Sequence, residues 1–235
     1  MSLFRRIKGN IVIFGDSLAR GVVYDEDRHR YRISSTSAAS LVAEQAGVPV
    51  LNRARMRMTA KDGFLAMQKD VESGMIREGD TVFLEFGGND ADFDWEAISR
   101  DPDAEHHPRT ALTEYENTLT DMVRLLRRNG VFPVMATLPP VISERYLAFF
   151  SRKGLSKENI LHWLGDVHKI YRFHERYSLV VARVARRLSC LLIDLRSAFL
   201  EAWDAGAYYC TDGIHPNDAG QRLMFDAIGR SRYGA

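Results

Sequence analysis

Apolar residues along this chain fall into two patterns, short continuous runs and longer stretches in which they recur every three or four positions. The short runs end at Gly, Asp, Asn or Pro and are typical of buried strands. They lie at 10–15, 48–52, 80–87, 131–138 and 190–195. The longer stretches predict helices, which we expect in STSAASLVAEQAG, at 109–129, at roughly 167–189 and after Pro216.

Strands and helices that alternate in this way predict an α/β protein with a five-stranded parallel sheet covered by helices on both faces. No repeat, low-complexity tract or linker divides residues 1–235, so we expect a single domain. The segment 140–166 is long for a connection between a strand and a helix. Aromatic and charged residues are mixed along it, and we interpret it either as a lid or substrate wall or as a pair of surface helices.

The composition limits the kind of partner. Hydrophobic residues make up 46% and charged residues 27%, as in soluble globular proteins. The 32 Lys and Arg residues nearly cancel the 31 Asp and Glu residues, which argues against a nucleic-acid-binding protein. The two cysteines do not suggest a disulfide framework. No apolar stretch reaches the ~20 residues of a membrane helix, and none of signal-peptide length precedes the first strand. We expect a cytoplasmic protein that binds neither membranes nor nucleic acid.

Ligands of such sheets bind beyond the carboxyl ends of the strands, and polar residues occupy several of these places. Asp16 and Ser17 follow the first strand, Asn89 follows the third, and Asp212 and His215 precede the last helix. Asp212 is spaced to accept a hydrogen bond from the His215 Nδ1–H, which leaves Nε2 free to take the Ser17 proton. The Asn89 amide and the Ser17 backbone N–H are candidate donors to an oxyanion. The sequence therefore predicts a serine nucleophile with a histidine base and an orienting acid.

These residues also have purely structural interpretations. Ser17 and Asn89 are residue types common in turns, and Asp212 is placed to cap the last helix. The adjacent His106 and His107 lack the spacing of metal ligands, so no metal site is predicted.

Three short motifs, GDSL at 15–18, GGND at 87–90 and DGIHPN at 212–217, occur in an order and spacing that resembles the SGNH hydrolases, also called GDSL esterases and lipases. The motifs bracket nearly the whole chain. The resemblance implies a flavodoxin-like three-layer α/β/α sandwich. It also implies hydrolysis of carboxylic esters through a serine acyl-enzyme, without a metal or cofactor. Within the motifs we assign Asp16 and Gly88 to substrate binding.

One motif departs from the family pattern. SGNH hydrolases carry a glycine after the second strand whose backbone N–H completes the oxyanion hole, and the corresponding stretch here is LNRARMRMTAKDG. We align Arg57 with that glycine, with Met56 as the alternative register. A backbone N–H survives a change of side chain, whereas an arginine is strained if the position requires a positive φ.

Two runs of alternating charge flank the predicted site. Arginines follow the second strand and aspartates follow the third: Arg53, Arg55 and Arg57, then Asp90, Asp92 and Asp94. In extended segments each set projects to one side, and the strand order 2-1-3-4-5 places both runs beside Ser17. In one interpretation Arg55 binds an anionic group of the substrate and the aspartates shape its far edge. Ion pairs that close the rim, and solvated loops, are the alternatives.

The leading functional hypothesis is a serine esterase for a small-molecule ester with a small acyl group, such as an acetylated sugar. A lysophospholipase or thioesterase, and a non-catalytic binding protein that keeps the fold, are the alternatives. Retention of Ser17, Asn89, Asp212 and His215 argues against the binding protein. The oligomeric state stays open.

Overall fold

The computed structural model describes residues 7–152 and 154–231. Residues 1–6 and 232–235 of the expected single domain, and residue 153 of the segment 140–166, lie outside the described residues. The strands are β1 (Ile11–Gly15), β2 (Val22–Asp25), β3 (Arg30–Ile33), β4 (Val50–Asn52), β5 (Thr81–Glu85), β6 (Phe132–Ala136) and β7 (Leu191–Ile193). The helices are α1 (Ser17–Arg20), α2 (Ala38–Gln45), α3 (Ala60–Glu72), α4 (Gly88–Ala91), α5 (Trp95–Arg100), α6 (Leu112–Arg128), α7 (Ser143–Ser151), α8 (Lys157–Leu164), α9 (Lys169–Arg187), α10 (Leu195–Leu200) and α11 (Asp218–Arg230), with a 3-10 helix at Ala205–Tyr208.

Five of the strands form one parallel sheet in the order β4-β1-β5-β6-β7. Along the chain this is the 2-1-3-4-5 order of flavodoxin-like proteins, so the predicted sheet is confirmed. Strand β1 lies inside the sheet and is paired on both sides, with Ile11 opposite Val50 of β4 and Thr81 of β5. The predicted runs extend past the strand ends because Phe86 and Leu138, beyond β5 and β6, are also buried.

Helices cover both faces of the sheet. Alternate residues of a strand point to opposite faces, and in β1 Val12 and Phe14 pack into one core while Ile11 and Ile13 pack into the other. The first core contains buried residues of α3, α6 and α9, and the second those of α2, α10 and α11. The three-layer α/β/α arrangement is therefore confirmed.

Two regions that the helix and strand pattern did not specify lie at that edge. Strands β2 and β3 form an antiparallel hairpin directly after α1, and this hairpin was not predicted. The segment 140–166 folds as the helix pair α7 and α8. Its apolar residues pack with Phe93, Trp95 and Ile98 into a third cluster. Within the described parts of the chain, no helix combines the length and apolar character needed to cross a membrane.

Candidate active site

Ser17 is the first residue of α1, which begins directly after β1. The turn is tight: a Cβ on Gly15 would lie 2.5 Å from the Glu85 carbonyl oxygen and 2.6 Å from the Ala19 Cβ. Asp16 caps the helix, with its Oδ1 accepting a hydrogen bond from the Leu18 N–H at 2.9 Å. The turn therefore holds the largely buried Ser17 at the carboxyl end of β1.

His215 and Asp212 approach Ser17 from the loop before α11. The His215 Nε2 lies 2.8 Å from the Ser17 Oγ, and its Nδ1 lies 2.6 Å from the Asp212 Oδ2. The other Asp212 oxygen, Oδ1, accepts hydrogen bonds from the backbone N–H groups of Ile214 and His215 at 3.1 and 3.0 Å. Asn217, not Asp212, caps α11, so the capping interpretation of Asp212 is wrong. The three predicted side chains form one continuous hydrogen-bonded chain.

Asp212 stays ionised in this environment. Burial opposes its charge, but the hydrogen bonds and charge of His215, with the backbone N–H of Ile214, outweigh burial and lower the pKa of Asp212 below its ordinary value. An ionised acid at Nδ1 favours the imidazole tautomer in which Nε2 is free to accept a proton. The arrangement can therefore remove the hydroxyl proton of Ser17.

Asn89 lies on the opposite side of Ser17, in the short helix α4 after β5. Its Nδ2 donates to the Asp16 Oδ2 at 3.0 Å and to the Met58 carbonyl at 3.3 Å. The turn that carries it begins at Gly87, which has a φ of 137°, where a Cβ would lie 2.7 Å from the Tyr115 hydroxyl. The GGND motif thus places an amide donor beside the serine.

Arg57 has a φ of 61°, in the left-handed region where glycine is favoured. Met56 does not have a positive φ, and this difference favours Arg57 as the counterpart of the family's glycine. Arg55 and Arg57 are both exposed and line a surface recess that is separate from the pocket beside Ser17. The structure therefore places the two arginine side chains outside that pocket.

A pocket of about 80 Å³ opens beside Ser17. Its polar end is formed by the serine turn and α4, including Asp16, Ser17, Gly88 and Asn89. The opposite wall is apolar and consists of Phe93, Trp95, Val141, Tyr146, Ile170 and Phe173. Two of these residues, Val141 and Tyr146, come from the segment 140–166. The pocket thus combines a nucleophile with a predominantly aromatic wall.

Two buried titratable residues that line this pocket were not predicted. Glu85 ends β5, and both of its carboxyl oxygens are buried. Burial, followed by the charge of Asp16, raises the pKa of Glu85 well above its ordinary value. Burial lowers the pKa of His174 to about 3, with Arg196 contributing, so this imidazole is neutral. The sequence does contain a sign of Glu85 as a site residue, because it is a single glutamate at the end of an apolar run.

The two charged runs do not pair with each other among the described residues. Arg53 instead makes a bidentate ion pair with Asp70, both contacts at 2.7 Å. Asp90 lies within α4, so the expected extended segment is wrong there. The buried Asp90 carboxylate accepts the Ala60 backbone N–H at the start of α3, where its closer contact is 3.0 Å.

The other two aspartates also have local partners. Asp92 accepts hydrogen bonds from the Trp95 Nε1 at 2.8 Å and the Tyr146 hydroxyl at 2.9 Å. Asp94 caps α5 through the Ala97 N–H. These partners hold the aromatic wall and the helix behind it, so the aspartates connect the site to its supporting structure.

Comparisons with known proteins bear on the family and the fold of the chain. The model of the GDSL-like lipase/acylhydrolase family matches residues 13–223. A lipase/acylhydrolase structure from Enterococcus faecalis is 20% identical with a TM-score of 0.64, and the alignment covers 95% of this chain and 94% of that one. The acetylxylan esterase Axe2 from Geobacillus stearothermophilus is 18% identical with a TM-score of 0.63, with the same coverages of 95% and 94%.

A third structure, the α/β hydrolase LAE5 from the metagenome of Lake Arreo, is 21% identical with a TM-score of 0.64 and coverages of 96% and 95%. At these identities the structures show a shared fold. A search of curated proteins found no match. The family model spans the three motifs and nearly all of the sheet, and the resemblance to SGNH hydrolases is confirmed. The chain belongs to the GDSL-like lipase/acylhydrolase family, and the protein is a carboxylic ester hydrolase of that family.

Proposed function

We propose that the protein is a serine esterase that hydrolyses carboxylic esters with small acyl groups through an acyl-enzyme. The observation that carries the proposal is the unbroken hydrogen-bonded chain from Asp212 through His215 to Ser17 at the mouth of a pocket. A serine hydroxyl is a weak nucleophile at neutral pH, and a positioned base makes its attack on an acyl carbon feasible.

In the first half of the reaction, the His215 Nε2 takes the proton of Ser17 as the Oγ bonds to the ester carbonyl carbon. The tetrahedral intermediate collapses, the alcohol leaves with the proton from His215, and the acyl group stays on Ser17. In the second half, His215 takes a proton from water as the water oxygen attacks the acyl carbon. The carboxylic acid leaves, and the proton returns to Ser17.

The oxyanion of each intermediate would be bound by the backbone N–H groups of Ser17 and Arg57 and by the Asn89 amide. Asn89 donates to both Asp16 and the Met58 carbonyl, and the latter bond is the longer, at 3.3 Å. We infer that the oxyanion replaces the Met58 carbonyl as an acceptor while Asp16 keeps the amide oriented. Loss of one such donor typically lowers kcat by about 10²- to 10³-fold.

The pocket supports a small acyl group. It has a volume of about 80 Å³, is bounded on one side by the aromatic wall, and accommodates an acyl group of a few carbon atoms. Asp16 and Gly88, at the polar end, are proposed to contact the substrate. A structurally similar protein is an acetylxylan esterase, so a sugar acetate is the natural substrate that we propose to test first. A lysophospholipase or thioesterase would need a longer acyl channel.

Arg55 is proposed as a contact for an anionic group on the alcohol side, because it is exposed and has no ion-pair partner among the described residues. An Arg55→Ala variant should lose preference for a carboxylate-bearing ester over a neutral one, and the wild-type preference should weaken with salt. Arg128→Ala is the matched control, since Arg128 is exposed at the end of α6, just before β6 begins, at the other edge of the sheet. Equal losses on both esters would argue against anion recognition.

The main test combines a substrate series with a covalent probe. Activity on p-nitrophenyl esters should be highest for acetate and fall with acyl length, and Ser17→Ala should abolish it. A fluorophosphonate should form one Ser17 Oγ–phosphorus bond with loss of fluoride, and peptide mapping should locate the adduct. The exposed Ser35→Ala variant is a control that should label normally. A preference for long acyl chains would favour the lysophospholipase alternative, and an active enzyme labelled elsewhere would contradict the mechanism.

A further inference from the structure

The hairpin β2–β3 lies against the proposed base. The ring of Tyr31, on β3, has its centroid 5.0 Å from the ring of His215, at an interplanar angle of 58°. Tyr31 is paired in the hairpin with Tyr24, and their rings lie 5.2 Å apart. Phe149 of α7 contacts both, with centroid distances of 4.9 Å to Tyr24 and 6.4 Å to Tyr31. We refer to Tyr24, Tyr31 and Phe149 as the aromatic cap.

The hairpin is attached to the chain segments that carry the histidine. The backbone N–H of Tyr24 donates to the Cys210 Sγ at 3.3 Å, two residues before Asp212. On α11, Asp218 accepts hydrogen bonds from Arg32 at 3.0 Å and from Ser34 at 2.5 Å. A two-stranded hairpin is marginally stable alone, so these contacts fix its position relative to the histidine loop.

Tyr31 also faces the acid of the pair. Burial and the neighbouring Asp212 carboxylate raise the pKa of Tyr31 well above its ordinary value, so the side chain stays neutral. The charged or titratable groups around His215 are then Asp212 at Nδ1, Asp16 on the serine turn and the neutral Tyr31. The imidazole itself is 4% exposed. The aromatic ring therefore occupies a side of His215 from which water would otherwise reach it.

We propose that Tyr31 is a positioning residue of the esterase, which fixes the plane of the His215 imidazole and shields its hydrogen bond to Asp212 from water. The inference rests on the proposed function. The hydrogen bonds to Ser17 and Asp212 fix the positions of the two imidazole nitrogens of His215. The Tyr31 ring that packs against the imidazole restricts the tilt of its plane. Aromatic rings at this separation attract each other, and the ring also attracts the imidazolium that forms when Ser17 loses its proton.

The hairpin's contribution to the hydrophobic core comes from other residues, which makes the proposal testable. Val22 and Val23 of β2 are 1% and 2% exposed, whereas Tyr31 is only partly buried. Truncating Tyr31 should therefore leave the fold intact. Tyr24 offers a matched control, because it belongs to the same hairpin and the same aromatic cap but contacts the rings of Tyr31 and Phe149 rather than His215.

The experiment compares Tyr31→Leu, Tyr31→Phe and Tyr24→Leu on p-nitrophenyl acetate and in the rate of fluorophosphonate inactivation. Tyr31→Leu should lower kcat and the inactivation rate about tenfold, as expected for a lost ring contact to a cation, with KM within about twofold. Tyr31→Phe keeps the ring and should retain most of the rate, as should Tyr24→Leu. Thermal unfolding of each variant checks the fold.

A proton NMR measurement tests the same contact without catalysis. The His215 Nδ1–H signal should persist in the wild type, in Tyr31→Phe and in Tyr24→Leu, and should broaden by exchange with water in Tyr31→Leu. An unchanged Tyr31→Leu signal and rate, or equal losses in Tyr24→Leu, would overturn the proposal. A wild-type protein that neither hydrolyses esters nor labels at Ser17 would refute the proposed function instead, and the NMR comparison would still decide the role of Tyr31.

Discussion

The two sides of Ser17 are built differently. On the histidine side, Asp212 and His215 are 0% and 4% exposed, and the oxygens of the acid and the nitrogens of the imidazole are all hydrogen-bonded. On the oxyanion side, residues 55–57 of the loop after β4 are exposed, with Met56 47% exposed and Arg57 at a φ of 61°. One side is fixed by packing, and the other is a surface loop in an unfavourable backbone conformation.

This difference indicates which parts of the active site are formed by folding alone and which parts form only when the substrate binds. The His215 Nε2 lies 2.8 Å from the Ser17 hydroxyl oxygen. The Asn89 amide is already oriented by Asp16, but its second hydrogen-bond donor is occupied by the Met58 carbonyl. In the proposed mechanism, folding alone places the base, whereas the oxyanion must replace the Met58 carbonyl as an acceptor of the Asn89 amide. Mutations on the two sides should therefore have different kinetic signatures.

The largest effect is expected on the histidine side. His215→Ala should lower kcat as much as Ser17→Ala, by about 10⁵- to 10⁶-fold, and Asp212→Ala by about 10⁴-fold, because the members of such a unit are not additive. Single-turnover kinetics with p-nitrophenyl acetate measure these losses. An Asp212→Ala variant at the wild-type rate would show that another group orients the imidazole.

On the oxyanion side, Asn89→Ala should lower kcat by about 10²- to 10³-fold with a small change in KM, because the amide acts on the transition state. Asn129→Ala, which removes an exposed amide at the end of α6, is the control and should be neutral. The rate of fluorophosphonate labelling should fall in parallel with kcat. Full activity of Asn89→Ala would mean that backbone N–H groups alone bind the oxyanion.

The sequence was informative about the histidine side because its chemistry is local. Asp212 and His215 are three residues apart, and the turn that they share creates their hydrogen bond. Ser17 follows a strongly apolar strand, and the sheet order places that strand between β4 and β5. Motifs of this kind can be read without the rest of the fold.

The remaining features depend on distant contacts. The hairpin β2–β3 was missed because its aromatic residues face the site and α7 instead of forming an alternating apolar strand pattern. The aspartate run was misread as extended because its partners, such as the Ala60 N–H and the Tyr146 hydroxyl, come from other elements. His174 lies on the buried face of α9 with Ile170 and Tyr177, and spacing alone does not distinguish a pocket-lining histidine from a core residue.

Asp16 contributes to both sides of Ser17, and its substitution is expected to have an effect of intermediate size. Burial raises the pKa of Asp16 from 3.8 to about 6, against the opposing hydrogen bonds from Leu18 and Asn89. Because the folded pKa is above the ordinary value, the associated stability is fully present below pH 3.8 and is lost as the pH rises through 6. This contribution of Asp16 to the free energy of unfolding is about 3 kcal/mol. Asp16→Asn should therefore gain stability relative to the wild type between pH 4 and pH 8.

The same variant should lose about tenfold in activity, because the charge-assisted bond that orients Asn89 is replaced by a neutral one. Urea unfolding at several pH values and esterase assays measure the two effects. Burial also raises the pKa of Asp90 to about 6, so Asp90→Asn should show the same sign of stability change with a smaller loss of activity. A constant stability difference across this pH range would show that Asp16 is not the group that titrates.

The smallest effect concerns the strained loop itself. A residue other than glycine in the left-handed region costs about 1–2 kcal/mol, so Arg57→Gly should release strain that offsets the entropy of a new glycine. Arg55 has no positive φ, and Arg55→Gly should cost about 0.5–1 kcal/mol with no such compensation. Urea unfolding should therefore find Arg57→Gly more stable than Arg55→Gly by about 1 kcal/mol or more.

If only the backbone N–H of residue 57 binds the oxyanion, Arg57→Gly should also keep kcat within about twofold. A large fall in kcat with retained stability would instead assign a role to the arginine side chain, and the oxyanion side would then depend on a group that the family's glycine lacks.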